Sequence, residues 1–182
     1  MNVKPLTSID RDALRHVITG YESDGVYRVT WHESDDRVMF QLDLEPLPAP
    51  YVKRFDLEDR DYYDAIVRDG HSFGAYDGDV LAGIGLADVH LWNRTFWIHE
   101  LHVVPAHRGR GIGRALIEAL AQRATTVECR TMIVETQNTN VPAIRFYRRV
   151  GFRIEAVDVS LYTNNDLTDG EVAVYMKRQL TA

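Results

Sequence analysis

The chain predicts an α/β (α+β) fold, a mixed sheet with helices on both faces. Three observations predict it. Hairpin patterns come first along the chain, and strand and helix patterns then alternate. A glycine-rich, doubly basic turn stands where one of those strands hands over to a helix. No internal repeat or low-complexity tract interrupts this order.

The elements follow from local patterns. Residues 8–21 predict a first helix, with Ser8 or Asp10 as its cap and Gly20 near its end. Residues 26–32 (VYRVTWH) and 38–44 (VMFQLDL) are rich in β-branched and aromatic side chains, and the polar cluster at 33–36 between them predicts a hairpin. Pro46, Pro48 and Pro50 are expected to break regular structure. Residues 57–68 predict a second helix, closed by Gly70. Residues 72–76 and 80–89 form a further hairpin through Asp77-Gly78-Asp79, because an Asp-Gly pair between two apolar runs suits a tight turn. A strand over 95–104 is stopped by Pro105.

Residues 111–126 have helical periodicity, with Ile112, Ala115, Leu116, Ala119, Leu120 and Ala124 on one face. A short apolar strand over 131–135 comes next. Residues 142–150 then predict a helix with Pro142 in its first turn and Gly151 just past its end. Strands over 158–161 and 172–177 complete the sheet. The unit 95–135 is expected to be a right-handed parallel crossover.

Composition narrows the class. A length of 182 residues suits one domain with a sizeable core. No apolar run approaches the roughly 20 residues that span a bilayer, and Met1 to Pro5 lacks the apolar core of a signal peptide. A cytoplasmic protein without a membrane partner is expected. The net charge of −6 argues against a nucleic-acid partner and is compatible with a cationic substrate. It equally serves solubility. A single cysteine, Cys129, excludes an internal disulfide and any multi-cysteine metal site, and reads as a small buried hydrophobe.

The chemistry is concentrated in Leu101-His102-Val103-Val104-Pro105-Ala106-His107-Arg108-Gly109-Arg110-Gly111-Ile112-Gly113. Free N–H groups at a helix start carry partial positive charge and attract anions, and glycines let the backbone approach closely. A Walker loop would need Lys and a hydroxyl residue that this turn lacks. A dinucleotide fingerprint would need Gly-x-Gly-x-x-Gly, whereas the glycines fall at 109, 111 and 113 and position 114 is Arg. The pattern Arg/Gln-x-x-Gly-x-Gly/Ala is met by Arg108, Gly111 and Gly113.

That turn resembles motif A of the GNAT acetyltransferases, which binds the CoA pyrophosphate. A second stretch, Asn140, Ala143, Tyr147 and Gly151-Phe152, resembles the later GNAT pattern in the expected order. The resemblance implies a mostly antiparallel, twisted sheet of about seven strands with a splayed parallel pair at the cofactor site. It implies one domain over 1–182, with a variable helix and hairpin over about 1–50 and an acetyl-CoA-binding core over 71–180. It also implies acetyl-CoA as cosubstrate. The cosubstrate would be held by His102, Val103, Val104, Arg108, Gly109, Arg110, Gly111, Ile112, Gly113, Arg114, Asn140, Ala143 and Tyr147. Homodimers are common in that superfamily, so the resemblance implies one here.

Tyr147 lies one turn from Ala143, on the same helix face. A phenol with a reference pKa of about 10 can protonate a leaving thiolate near 8.5 if the transfer is concerted with cleavage. A core aromatic is the other reading. Asn140 either bonds CoA or caps the helix. Along 95–104, strict alternation would group Trp97, His99, Leu101 and Val103 on one side and Ile98, Glu100, His102 and Val104 on the other. Glu100 is the candidate general base, or a carboxylate that only binds the ammonium. His99-Glu100-Leu101-His102 fails as a zinc motif, because its histidines are three apart on a strand and would face opposite ways. No metal is expected.

The stretch from about residue 40 to 180 is similar, more narrowly, to streptothricin acetyltransferases. The similarity rests on Ala49-Pro50-Tyr51, Trp92-Asn93-Arg94, Glu135-Thr136-Gln137 with Asn140, and Asp158 with Leu161-Tyr162 and Asn164. It implies a small cationic amine as substrate, and Glu100, Glu135, Asp158, Tyr162 and Trp92 as its binding residues. Two alternatives stay open: acetylation of a protein lysine or N-terminus, and a CoA-binding sensor without catalysis.

Overall fold

The computed structural model describes residues 1–180. The final two residues of the 1–182 domain expected from sequence lie outside the described residues. In chain order the elements are β1 (Asn2–Pro5), α1 (Arg11–Val17), β2 (Tyr21–Ser34), β3 (Arg37–Lys53), α2 (Arg60–Arg68), β4 (Phe73–Asp77), β5 (Val80–His90), β6 (Thr95–Val103), α3 (Ile112–Thr126), β7 (Thr131–Gln137), α4 (Val141–Arg149), β8 (Arg153–Asp158), α5 (Asp166–Asp169) and β9 (Ala173–Gln179). A seven-stranded sheet has the order β1-β4-β5-β6-β7-β9-β8, and β2-β3 form a separate two-stranded ribbon. The sheet is mostly antiparallel with a parallel β6–β7 pair, the mixed architecture expected.

The chain divides into two compact units. Unit 1 comprises Met1–Thr19, Arg54–Val134 and the end of the chain from Arg178; unit 2 comprises Gly20–Lys53 and Glu135–Lys177. In unit 1 the sheet is covered on both faces. Leu14 and Val17 of α1 and Tyr63, Ile66 and Val67 of α2 are buried with Ile84, Leu86 and Val104. Ile112 and Leu116 of α3 are buried with Ala75 and Ala82, and Leu101 and Val103 pack against them. Removing this much apolar surface from water is the main force that holds the unit. In unit 2, α4 packs along β2. Asn138 ties β2 to the segment that leads into β9: its Nδ2 donates to the Tyr27 carbonyl at 2.9 Å and its Oδ1 accepts from Val172 N at 2.8 Å.

Several expectations are corrected. The first helix is shorter than 8–21. Asp10, not Ser8, caps it by accepting from the amides of Asp12 and Ala13, and Tyr21 already opens β2. The hairpin is far longer than predicted, and Pro46, Pro48 and Pro50 lie inside β3. The expected break is local: the β2–β3 register shifts between Ser23–Tyr51 and Gly25–Pro46, so residues 47–50, with Pro48 and Pro50, have no partner on β2, and pairing resumes at Tyr51. The predicted strand over 158–161 is instead Arg153–Asp158, after which the chain bends into α5. Strand β1 and helix α5 were not expected; both have only four residues, too few for a period to show. Helix α3 buries Ile112, Leu116, Ile117, Leu120, Ala121 and Ala124, while Ala115 is exposed, so the apolar face is rotated from the predicted one.

Candidate active site

In unit 1 the turn of residues 108–111, predicted to bind an anion, leads into the start of α3. Gly109 and Gly111 take left-handed backbone conformations, φ +76° and +83°, where other L residues are strained. A Cβ at either position would meet nothing within 4 Å, so the turn is bordered by open space. Gly111 is the N-cap of α3, and no side chain caps that helix. Its carbonyl accepts from Ala115 N at 3.0 Å, which leaves the first-turn amides of Ile112, Gly113 and Arg114 directed out of the helix start. Arg110 and Arg114 are exposed beside them. Outward amides, a helix dipole and two guanidinium groups fit a diphosphate.

Arg108 does a different task from its neighbours. Its Nε donates to the Val103 carbonyl at 3.0 Å, closing the turn back onto the end of β6. Burial pulls the guanidinium pKa below its usual value.

Strand β6 departs from the strict alternation predicted for it. The β5–β6 register shifts between Leu86 and Ala87, so that Glu100 pairs with Leu86 and Ile98 with Ala87. His99 is the additional residue of this bulge, which re-aims the side chains around it. Leu101 and Val103 pack toward α3. His99 instead meets the Tyr62 ring of α2 at 6.4 Å, and His102 meets Phe55 at 5.7 Å. His99 therefore leaves the predicted Leu101–Val103 face and joins Glu100 and His102. The His102 Nε2 lies 2.6 Å from a Glu100 carboxylate oxygen, and both side chains are mostly buried. Burial, reinforced by the Glu100 charge, pushes the Tyr62 phenol well above its ordinary pKa. His99 Nε2 also reaches Asp88 at 3.1 Å. The two histidines of 99–102 thus face the same way, correcting the expectation. No group of three or more His, Cys, Asp or Glu that could hold a metal occurs among the described residues.

The backbone of β6 sorts the predicted cofactor donors. Val104 N donates to Ala82 O at 2.9 Å, so that amide is occupied. Amides two residues apart on a strand face the same edge, which directs His102 N–H toward β5 as well. Val103 N–H faces the opposite edge. There the parallel ladder runs only from Thr95–Thr131 to Ile98–Val134, while β6 continues to Val103.

In unit 2, Asn140 caps α4, its Oδ1 accepting from Ala143 N at 3.2 Å. This meets the capping alternative. Tyr147 is buried, with its ring 5.4 Å from Phe146 and 5.5 Å from Phe152. The Phe152 amide donates to the Tyr147 carbonyl at 2.9 Å, so the Gly151-Phe152 pair turns the chain and steadies this end of α4.

Unit 2 also assembles an acidic and aromatic cluster. The Tyr162 hydroxyl donates to Glu135 Oε1 in a short hydrogen bond. The loop that carries Tyr162 is fixed by the buried Asp166 carboxylate, which accepts from Tyr162 N at 3.0 Å and Thr163 N at 2.6 Å. Burial acts to raise the Asp166 pKa, but these hydrogen bonds outweigh it and hold the carboxyl below its ordinary range. The Asp158 carboxylate accepts from Ser160 N at 3.0 Å and pins the start of the same loop. Sequence reasoning missed Glu171 and Lys53 here. Glu171 accepts from the Tyr51 hydroxyl at 2.8 Å and pairs with Lys53. These partners are 120 and 118 residues from Glu171, and no local pattern links them. Burial raises the pKa values of Tyr21, Tyr162 and Tyr175, and Glu135 adds to each. Trp92 belongs to unit 1, where it is 87% exposed in the turn between β5 and β6. Cys129 is buried and burial raises its thiol pKa, which keeps it a protonated, poor nucleophile.

Comparison with known proteins defines the class. Residues 36–152 match the acetyltransferase (GNAT) family. The chain belongs to that family, whose members are acetyl-CoA-dependent N-acetyltransferases. It is 38% identical over 144 residues, 75% of either chain, to the streptothricin acetyltransferase of Streptomyces lavendulae. It is 29% identical over 128 residues, 70% of either chain, to the streptothricin acetyltransferase of Escherichia coli. The crystal structure of nourseothricin acetyltransferase matches over 100% of both chains, with a TM-score of 0.79 and 32% identity. Among the described residues no helix is long and apolar enough to cross a membrane.

Proposed function

We propose that the protein transfers the acetyl group of acetyl-CoA to a primary amine of a small cationic molecule, streptothricin among them, and so protects a cell against that antibiotic. One observation carries this reading: carboxylates and neutral phenols gather in unit 2 around Glu135, Asp158 and Tyr162. Such a surroundings favours an alkylammonium through charge and through the ring faces. The names of the relatives support the choice of antibiotic. The work would be done in the cytoplasm, where acetyl-CoA is available.

In this reading the turn 108–114 holds the cosubstrate diphosphate and the Val103 amide polarises the thioester carbonyl. Glu100, oriented by His102, takes the proton from the substrate ammonium. The freed amine attacks the carbonyl carbon, a C–N bond forms and the C–S bond breaks. The Tyr147 hydroxyl, in the role the family resemblance gives it, passes its proton to the departing thiolate, which leaves as CoA, and the second proton of the attacking nitrogen restores the phenol as the amide forms. The test is free-thiol release from acetyl-CoA across streptothricin, aminoglycosides, polyamines and peptides. Preference for streptothricin or polyamines supports the proposal. Preference for peptides favours a protein acetyltransferase, and acetyl-CoA binding without turnover on any acceptor favours a sensor.

A further inference from the structure

Lys53 places an ammonium inside the acidic and aromatic cluster of unit 2. Its Nζ pairs with Glu171 Oε2 and lies 5.9 Å from the centre of the Tyr162 ring. Tyr51 holds the other Glu171 oxygen at 2.8 Å, so the carboxylate is already oriented without Lys53. The Tyr51 ring is 6.2 Å from that of Tyr21. Glu171 and Glu135 act on the same two phenols, Tyr21 and Tyr162, so two carboxylates converge on the place where Lys53 supplies one positive charge. Burial and the bond to Glu171 push Tyr51 up to about 12, and Tyr162 is raised further, so these rings stay neutral at working pH. A carboxylate bordered by neutral phenol faces is a receptor for an alkylammonium. The Lys53 and Glu171 side chains are 26% and 24% exposed, which leaves the pair open to exchange with a dissolved cation.

We propose that Glu171, Tyr51 and Tyr162 form a cation cage for the substrate, and that Lys53 fills it with its own ammonium until a substrate ammonium displaces it. The incoming group is chemically the same as the resident one, a primary alkylammonium. It belongs to a substrate with a second amine that stays charged while the first is acetylated. This deepens, and rests on, the reading of unit 2 as the place that holds the cationic substrate. Lys53 is then an internal competitor that admits only cations able to outbid a tethered lysine. A cage closed by Lys53 about nine-tenths of the time weakens an incoming cation about tenfold.

The test is calorimetric titration of the CoA-loaded protein with the diamine cadaverine. Lys53→Met keeps the side-chain stem and removes the charge; it should tighten cadaverine about tenfold. Lys53→Arg should give no gain, and Glu171→Gln should weaken binding about tenfold or more. CoA affinity and melting temperature serve as folding controls, and Lys53→Gln replaces Lys53→Met if the latter fails them. Binding that is undetectable in every variant, or no tighter in a folded Lys53→Met or Lys53→Gln protein, overturns the cage. Failure of the activity reading looks different: no amine is acetylated, yet Lys53→Met still tightens cadaverine. Conversely, streptothricin acetylated with the same KM by the wild type, Lys53→Met and Glu171→Gln removes the cage and leaves the activity standing.

Discussion

The Glu100 carboxylate and the His102 imidazole meet at 2.6 Å on one face of β6, beside a bulge that brings His99 to the same face. A carboxylate held by a ring packed against Phe55 has a fixed direction, and a general base needs that more than it needs exposure. Replacing Glu100 with Gln keeps an acceptor for His102 and removes the proton acceptor. The expected result is a fall in kcat of about 100-fold or more with cationic amines. His102→Phe should cost less, about tenfold, because it removes the orienting bond and leaves the carboxylate. Steady-state rates on the two variants decide, and an unchanged kcat in Glu100→Gln takes Glu100 out of the proton path.

The Tyr147 ring packs against Phe146 and Phe152, and both contacts are kept when the ring is retained as Phe. Tyr147→Phe should therefore fold normally and bind CoA with unchanged affinity. Its kcat should fall by about 100-fold, the usual contribution of a positioned acid. Equal turnover in the two proteins would leave Tyr147 as a core aromatic only.

How much could be read from the chain depended on how local each signal was. The turn 108–113 was legible because glycine and arginine at fixed spacing before an apolar helix constrain the backbone by themselves. Asn140, Tyr147 and Gly151-Phe152 were legible for the same reason, since cap, face and helix end lie within one short segment. The ribbon was underestimated because Pro48 and Pro50 interrupt the β2–β3 ladder only locally, at a register shift, and pairing resumes at Tyr51. The bulge at His99 was invisible, since a register shift is decided by β5 and not by β6 alone. Glu171 and Lys53 carry no pattern at all; only the long pairing of β2 with β3 and the fold of the distant 171 segment bring them together.

Gly111 is under a different kind of constraint from Gly83. At Gly111 there is room for a methyl group, but φ is +83°. Gly111→Ala should cost about 1–2 kcal/mol through the backbone alone. For a chain of this size that lowers Tm by about 2–8 °C. Because the strain is placed at the helix start, the KM for acetyl-CoA should also rise several-fold. At Gly83 a Cβ would lie 2.9 Å from the His102 carbonyl oxygen and 3.3 Å from Ile112 and Leu116. Gly83→Ala should cost more, about 1–3 kcal/mol of overpacking with added strain on the β5–β6 pair. Thermal melts of the two variants give the order, and a Gly111→Ala protein with wild-type Tm and KM removes the turn's special conformation from the account.

The tyrosines of unit 2 predict how the protein fails in alkali. Tyr51 has an ordinary pKa of 10.0 that burial, followed by its bond to Glu171, raises to about 12. Tyr21 and Tyr162 are raised further, in each case first by burial. A phenol with a higher pKa in the folded state than in the unfolded one binds its proton more tightly when folded. Its stabilising effect is complete below pH 10 and is lost as pH rises through about 12. The protein should therefore keep its melting temperature up to about pH 10 and lose stability progressively above it. Tyrosinate absorbance should show a late class of phenols that ionises only as the fold gives way. Tyr162→Phe should remove one member of that class and weaken the hold on Glu135. If all nine tyrosines of the chain titrate together near pH 10 while the protein stays folded, the neutral phenol cluster is not as described.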